Sequence, residues 1–371
     1  MPPAREQMFL LDWIRFAAAI LVSGWHLGYR LFDPGAQHIN RFSAGLPPDQ
    51  PIAPAITIFG WIGVQIFFVI SGLVIAFSAS RGTASRFFIN RAARLYPVIL
   101  VGTVLIAGID ILAWHMPVAR VAREAMLTLV FSPVATIAPQ FWTIPVEAIF
   151  YACIWGLIRT GRFEQVEIFA LGMLAIDAAY WTFVGWGGLN PMTQFARVLL
   201  MQHGCYFAVG IAIYRMAEHG LSARRGAIVL SGCILAIQEV RFALTKYQIA
   251  AKVGPDAWTV PYGMWLASLA MIAAAVWYRA AIGRFTRRWA LAGVSRAVGL
   301  ATYPLYFLHL HIGGLVAAVG VGNGMPPGAA VMLGFLAALV VSLWLALMVE
   351  PRLAGWIRQI AQASAWRGNR A

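Results

Sequence analysis

Ten apolar stretches, each close to twenty residues long, dominate this chain and leave few ways to fold it. They run at about 9–31, 54–79, 96–114, 140–159, 165–184, 194–214, 226–245, 260–279, 297–318 and 328–349. A bilayer core takes about 20 mostly apolar residues of helix. Backbone in lipid must satisfy its own hydrogen bonds, which a helix does within one segment. The expected fold is therefore all-α, a polytopic membrane bundle of about ten transmembrane helices. Composition agrees, with 61% hydrophobic and only 11% charged residues, against about 25% charged in soluble domains. No soluble domain or low-complexity linker interrupts the pattern, so residues 1–371 read as a single integral-membrane domain. The first stretch is too long for a signal peptide, carries Arg and His, and precedes no small-residue cleavage site. Cys153, Cys205 and Cys233 all fall in apolar stretches and read as core residues, with no disulfide framework and no metal site.

A net charge of +14 raises the question of nucleic acid. The arrangement of the basic residues points elsewhere. Alternate loops hold Arg81, Arg86, Arg91 and Arg94, then Arg159 and Arg162, then Arg215, Arg224 and Arg225, then Arg279, Arg284, Arg287, Arg288 and Arg296. The tails add Arg5, Arg352, Arg358, Arg367 and Arg370, while the opposite loops hold only Arg30, Arg41, Arg120, Arg123, Lys246 and Lys252. The positive-inside rule then places both termini in the cytoplasm, and an even number of spans agrees. The expected location is the cytoplasmic (inner) membrane, with the arginines as topology anchors on anionic lipid rather than nucleic-acid contacts. Two outer segments, 29–53 and 115–140, exceed the 12–15 residues or so beyond which connections are often lids or binding loops. Ordered caps on the helix ends are the equal alternative.

Arg15 and His26 share the first apolar stretch. Eleven residues of α-helix advance about 16 Å and three turns plus roughly 20°, so both should lie on one face near opposite ends of the span. Ionisable residues inside a membrane are costly and mark function by default. The direction of each span puts Arg15 near the cytoplasm, His26 in the outer third, Glu147 of FWTIPVEAIFY about 10 Å below the outer edge, and His309 of TYPLYFLHLHI past the midplane. Convergence of His26, Glu147 and His309 would set a neutral imidazole beside a carboxylate, which is general-base chemistry. A helix–helix hydrogen bond explains His309 equally well. Arg91 and Arg94, at i and i+3, share a helix face. With Arg15 they suit a polyphosphorylated ligand, because guanidinium grips phosphate bidentately; topology alone is the plainer reading. In GWIGVQIFFVISGLVI, at 60–75, the small residues Gly60, Gly63, Ser71 and Gly72 permit close approach of a helix or ligand, and Gln65 and Ser71 are expected to face inward.

These motifs resemble those of the membrane acyltransferase family three. LDWIRFAAAILVSGWH is similar to its first-helix signature, a basic residue followed by ten others and His. GWIGVQIFFVISGLVI, FFINRAARLYP, FWTIPVEAIFY, TYPLYFLHLH and VEPRL resemble further segments in the family's order, covering residues 9 to 353. The resemblance implies an integral-membrane O-acyltransferase that moves an acyl group, often acetyl, from cytoplasmic acyl-CoA to a hydroxyl. The acceptor would be an extracytoplasmic or lipid-linked carbohydrate or a small glycosylated product. His26 would be the catalytic base with Glu147 beside it. Arg15, Arg91 and Arg94 would hold the acyl-CoA, with Ser71 and Gly72 alongside, and Gln65 and His309 would meet the acceptor. Direct attack and an acyl-histidine route both fit. Partners are acyl-CoA, the acceptor and the bilayer; self-association into a homo-oligomer stays open. Thr143–Pro145 replaces the family's Ser-Leu-Ser, which puts the helix shape near Glu147 in question, and no SGNH-type esterase domain follows. The rival reading is a secondary transporter or exporter using buried Arg, His and Glu as a proton relay. Inverted repeats would favour it, and the two halves show no convincing repeat.

Overall fold

A computed structural model describes residues 8–43, 45–134, 136–185 and 194–368; Arg5 and Arg370 lie outside the described residues. No strand occurs among them. The α-helices of five or more residues are numbered in chain order: α1 (Phe9–Gly24), α2 (Gly63–Ala79), α3 (Ala84–Leu112), α4 (Val118–Leu129), α5 (Thr143–Arg159), α6 (Val166–Gly185), α7 (Gln194–Val198), α8 (Gly204–His219), α9 (Ala223–Lys246), α10 (Thr259–Trp277), α11 (Arg279–Arg288), α12 (Ala292–Gly322), α13 (Pro327–Trp344) and α14 (Glu350–Gly368). Among the described residues, nine helical segments are long and apolar enough to cross a membrane.

The difference from ten lies at 194–214. That run is not one helix: α7 stops at Val198, Leu200 turns through φ +62°, and α8 begins at Gly204. At 16 residues, α8 is about 24 Å long, short of a full span. It needs no lipid-facing length, because every residue from 204 to 215 is buried. The third span also differs. It starts a dozen residues before 96 and takes in FFINRAARLYP: α3 begins at Ala84, capped by Thr83, whose Oγ1 accepts the Arg86 N–H at 3.3 Å.

The chain divides into two compact units. Unit 1 comprises 1–18, 61–81 and 145–299, with α8 at its core. Packing of α2 on α8 depends on glycine. A side chain at Gly72 would run into the Phe207 backbone, and one at Gly210 into the Val69 carbonyl. At the other end of α8, Glu167 gathers Arg215 Nε at 3.0 Å, Arg225 Nε at 2.8 Å and Arg224 Nε at 3.6 Å, so one carboxylate ties α6, α8 and α9 together. Removing one partner of a buried charge cluster strands the others. Glu167→Ala is therefore expected to destabilise the protein by about 3 kcal/mol, read as a lowered thermal midpoint in detergent; an unchanged midpoint would mean that water replaces the carboxylate. The start of α1 also belongs to this unit: Trp13 Nε1 donates to Ser295 Oγ at 2.9 Å.

Unit 2 comprises 19–60, 82–144 and 300–371. Segment 29–53 is an ordered cap rather than a lid. Leu31, Phe32, Ala36, Ile39, Phe42 and Leu46 are buried with Leu310, Ala317 and Val331 of α12 and α13. Arg41 pins the cap, donating to Asp110 Oδ2 at 3.4 Å and to His311 Nε2 at 3.1 Å. Burial lowers the pKa of the Arg41 guanidinium, and Asp110 opposes that shift. Segment 115–140 is likewise built: it contains α4, and Thr128 Oγ1 accepts the Ile137 N–H at 3.0 Å.

Candidate active site

His26 lies where the first helix stops being regular. After Gly24 the chain widens into a π-helical turn, Trp25–Tyr29, a feature often found at functional sites. The even 100° progression assumed for 9–31 therefore ends just before His26. Within unit 2, His309 Nε2 of α12 lies 3.0 Å from His26 Nδ1, with ring centroids 5.0 Å apart. His26 Nδ1 also lies 3.1 Å from the Val22 carbonyl, and His309 Nδ1 lies 3.0 Å from the Leu305 carbonyl.

The three hydrogen-bonding contacts assign both tautomers. A carbonyl only accepts, so each Nδ1 carries the hydrogen. His309 Nε2 is then an acceptor, and it receives the His26 Nδ1–H. The lone pair of neutral His26 is left on Nε2. Protonation at Nε2 would strengthen the Nδ1–H bond to His309, since charge-assisted hydrogen bonds are the stronger kind. His309 is fully buried, so it holds the His26 ring by contact and not through solvent.

Neighbouring groups hold His309 in turn. Pro304 leaves the Leu300 carbonyl without its helical donor and bends helices in general; it lies inside α12, five residues before His309. Gln140 Nε2 donates to the Phe307 carbonyl at 2.6 Å, and the Thr143 and Tyr306 hydroxyls are 3.1 Å apart. The QFWTIP segment therefore braces α12 through Gln140 and Thr143. Pro145 does not disturb α5: it is the third residue of that helix, where an N–H has no intrahelical acceptor to lose.

A second cluster in unit 2 contains Arg94. Its Nη1 meets Glu350 Oε1 at 2.5 Å, with the carboxylate only 6% exposed. Glu350 opens α14 directly after a second π-helical turn, Leu345–Val349. Arg91, one turn before Arg94, is half-buried, with its guanidinium 5.9 Å from the Phe87 ring.

The other expected site residues fall in unit 1. Arg15 lies 3.9 Å from Asp12, one turn earlier. Glu147 Oε2 accepts the Tyr151 hydroxyl at 3.1 Å. Gln65 Nε2 donates to Glu239 Oε1 at 3.0 Å, and His203 Nδ1 stands 2.9 Å from the same oxygen. Ser71 is buried in α2, and Gly72 packs against the Phe207 backbone, where a Cβ would not fit. Sequence reasoning passed over Glu350, Glu239, His203 and the Arg41–Asp110–His311 cluster. Each contains an ionisable residue in or beside an apolar run, the signal that singled out His26. No group of three or more potential metal ligands occurs among the described residues.

Fold and site together define a class: a multi-pass helical membrane protein in which the half-buried His26 contacts the fully buried His309. Residues 9–349 match the profile of a family described as an acyltransferase domain, and the chain belongs to that family. It is also similar to a protein named acyltransferase MdmB from Streptomyces mycarofaciens, 30% identical over 166 residues, 41% of this chain and 39% of that protein. The match thus spans about two fifths of the relative's length. No solved structure matches the chain.

Proposed function

We propose that this protein transfers an acyl group, acetyl in the simplest case, from acyl-CoA to a hydroxyl of a carbohydrate or glycosylated acceptor, with His26 Nε2 as the general base. The observation that carries the reading is the His26–His309 contact, which leaves the proton-accepting lone pair on one defined nitrogen. Membership of the acyltransferase family supports acyl transfer over the transporter reading. In the proposed reaction, His26 Nε2 takes the acceptor's hydroxyl proton as the oxygen attacks the thioester carbonyl. The C–S bond breaks, and the CoA thiolate leaves with the proton returned from the imidazolium. Polypeptide inside a membrane tolerates such polar groups where they pair or line a cavity, so the reaction belongs within the helical unit. The donor arrives from the cytoplasm, where both termini lie, across the inner membrane.

Arg91 and Arg94 are the proposed phosphate contacts for the donor. Glu350 holds Arg94 and so competes with the incoming phosphates. Arg91→Ala and Arg94→Ala are expected to raise the KM for acetyl-CoA more than they lower kcat, since contacts remote from the thioester supply uniform binding. Lysine should rescue only in part, lacking the bidentate fork. Unchanged CoA affinity by calorimetry in both variants would leave topology and the Glu350 pair as their only roles.

The reading is tested with purified protein in proteoliposomes given acetyl-CoA, with water standing in for the acceptor hydroxyl and the acyl group leaving as acetate. Release of the free CoA thiol above a protein-free control is expected; a transporter releases none.

A further inference from the structure

The cap 29–53 does more than cover helix ends, because both of its ends are fastened to the turn that carries His26. It leaves the π-helical turn at Tyr29. It returns at Ile52, whose N–H donates to the Gly28 carbonyl at 2.8 Å. The Thr57 hydroxyl then donates to the Ile52 carbonyl at 2.9 Å, which fixes the point of return.

The middle of the cap seats on α12. Arg41 Nη2 lies 3.1 Å from His311 Nε2 and 3.4 Å from each carboxylate oxygen of Asp110. His311 and Asp110 are fully buried, and Arg41 Nη1 lies 2.9 Å from the Met116 sulfur. The guanidinium only donates, so one cation bridges an imidazole of α12 and a carboxylate of α3. Phe42 adds shape to this seat. Its ring stands edge-on to His311 at 4.9 Å, and a Cβ on Gly314 would come within 2.9 Å of its side chain.

His309 and His311 are two residues apart, about 200° round the helix. One meets His26 and the other meets Arg41. The path therefore closes on itself within unit 2: His26, the π-helical turn, the cap, Arg41, His311, His309, and back to His26 at 3.0 Å. Close-packed interiors transmit displacement because they hold little space to absorb it. A shift of the cap on α12 thus becomes a change in the contact between the two imidazoles.

We propose that Arg41 is a positioning residue for the histidine pair, with the cap as a strut between His26 and α12 and Asp110 fixing the guanidinium. The proposal rests on the function above only for what the pair does. The strut itself is measured by hydrogen exchange, which needs no substrate, so either claim can fail alone.

The test uses the full chain in nanodiscs. Arg41→Gln strands the buried Asp110 carboxylate, so a second variant, Arg41→Gln with Asp110→Asn, removes both charges. Hydrogen exchange by mass spectrometry is expected to show lost protection at Trp25–Tyr29 and none lost in α8. In acyl transfer, kcat should fall about tenfold, inside the roughly 10²-fold that a 1 Å misplacement can cost. The KM for acetyl-CoA should stay unchanged, and Arg41→Lys should recover part of the rate. In a His309→Ala background Arg41→Gln should cost less than it does alone, since groups in one network are not additive. If neither glutamine variant folds, Arg41→Lys decides by exchange and kcat. Wild-type protection at Trp25–Tyr29 in a folded variant, a raised KM with kcat kept, or the same cost in both backgrounds would overturn the proposal. Wild-type protein without turnover would instead defeat the proposed function, and the exchange result would still judge the strut.

Discussion

His26→Ala is expected to cut acyl transfer by about 10²–10⁴-fold, the usual contribution of a general base, while the protein still folds. The tautomer argument makes the expectation specific. His26 Nδ1–H is committed to His309 Nε2 and the Val22 carbonyl, so the chemistry rests on the opposite nitrogen. His309 acts through His26, and His309→Ala should therefore cost less than His26→Ala. The double variant should be little worse than His26→Ala alone, because groups that act as a unit are not additive. Rates from purified variants, with thermal midpoints as the folding control, decide the matter. Additive losses would mean that the two histidines serve separate steps.

Gly210→Leu is expected to give no folded protein. The position where a Cβ would sit falls on the Val69 carbonyl, within 2.7 Å of the Leu73 nitrogen and 3.0 Å of the Gly72 Cα. These neighbours are backbone, so no side chain can swing aside, and the helices must part. Overpacking costs about 1–3 kcal/mol where side chains can yield and more where they cannot. Because α8 is buried along most of its length, that separation propagates through unit 1. Gly210→Ala should lower the thermal midpoint, while Gly172→Ala, with open space around it, should not. A monodisperse Gly210→Leu protein with a wild-type midpoint by size-exclusion and thermal melting would contradict the packing.

Much of the fold was legible because hydrocarbon thickness sets one length scale that apolar runs must match. Nine runs became long helices for that reason. The sixth did not, because hydropathy registers burial whether lipid or protein provides it, and α8 is buried by protein. Regular periodicity also hid the π-helical turn at Trp25–Tyr29, which no composition signal marks. At the site, His26 was legible as an ionisable group in an apolar run. Its partner His309 lies 283 residues away, yet the direction of the ninth apolar run already set it near His26, and there it packs; the role at the acceptor came only from the resemblance. Arg94 read as a phosphate ligand, and Glu350 beside it emerged only from the fold, since pairing across 256 residues leaves no local trace. By length alone segments 29–53 and 115–140 read equally as lids or as ordered caps; the buried Ile39 and Phe42 and the Thr128–Ile137 hydrogen bond make them caps.

The central claim is acyl transfer that depends on His26. The most direct measurement supplies labelled acetyl-CoA to the cytoplasmic face of membranes containing the wild-type protein or His26→Ala at equal, folded levels, and follows the label into the glycan and glycolipid fractions by mass spectrometry. The account predicts label in a glycosylated product with the wild type and, with the variant, a signal about 10²-fold lower or less. Equal labelling by both proteins, or none by folded wild type across these fractions, would contradict it.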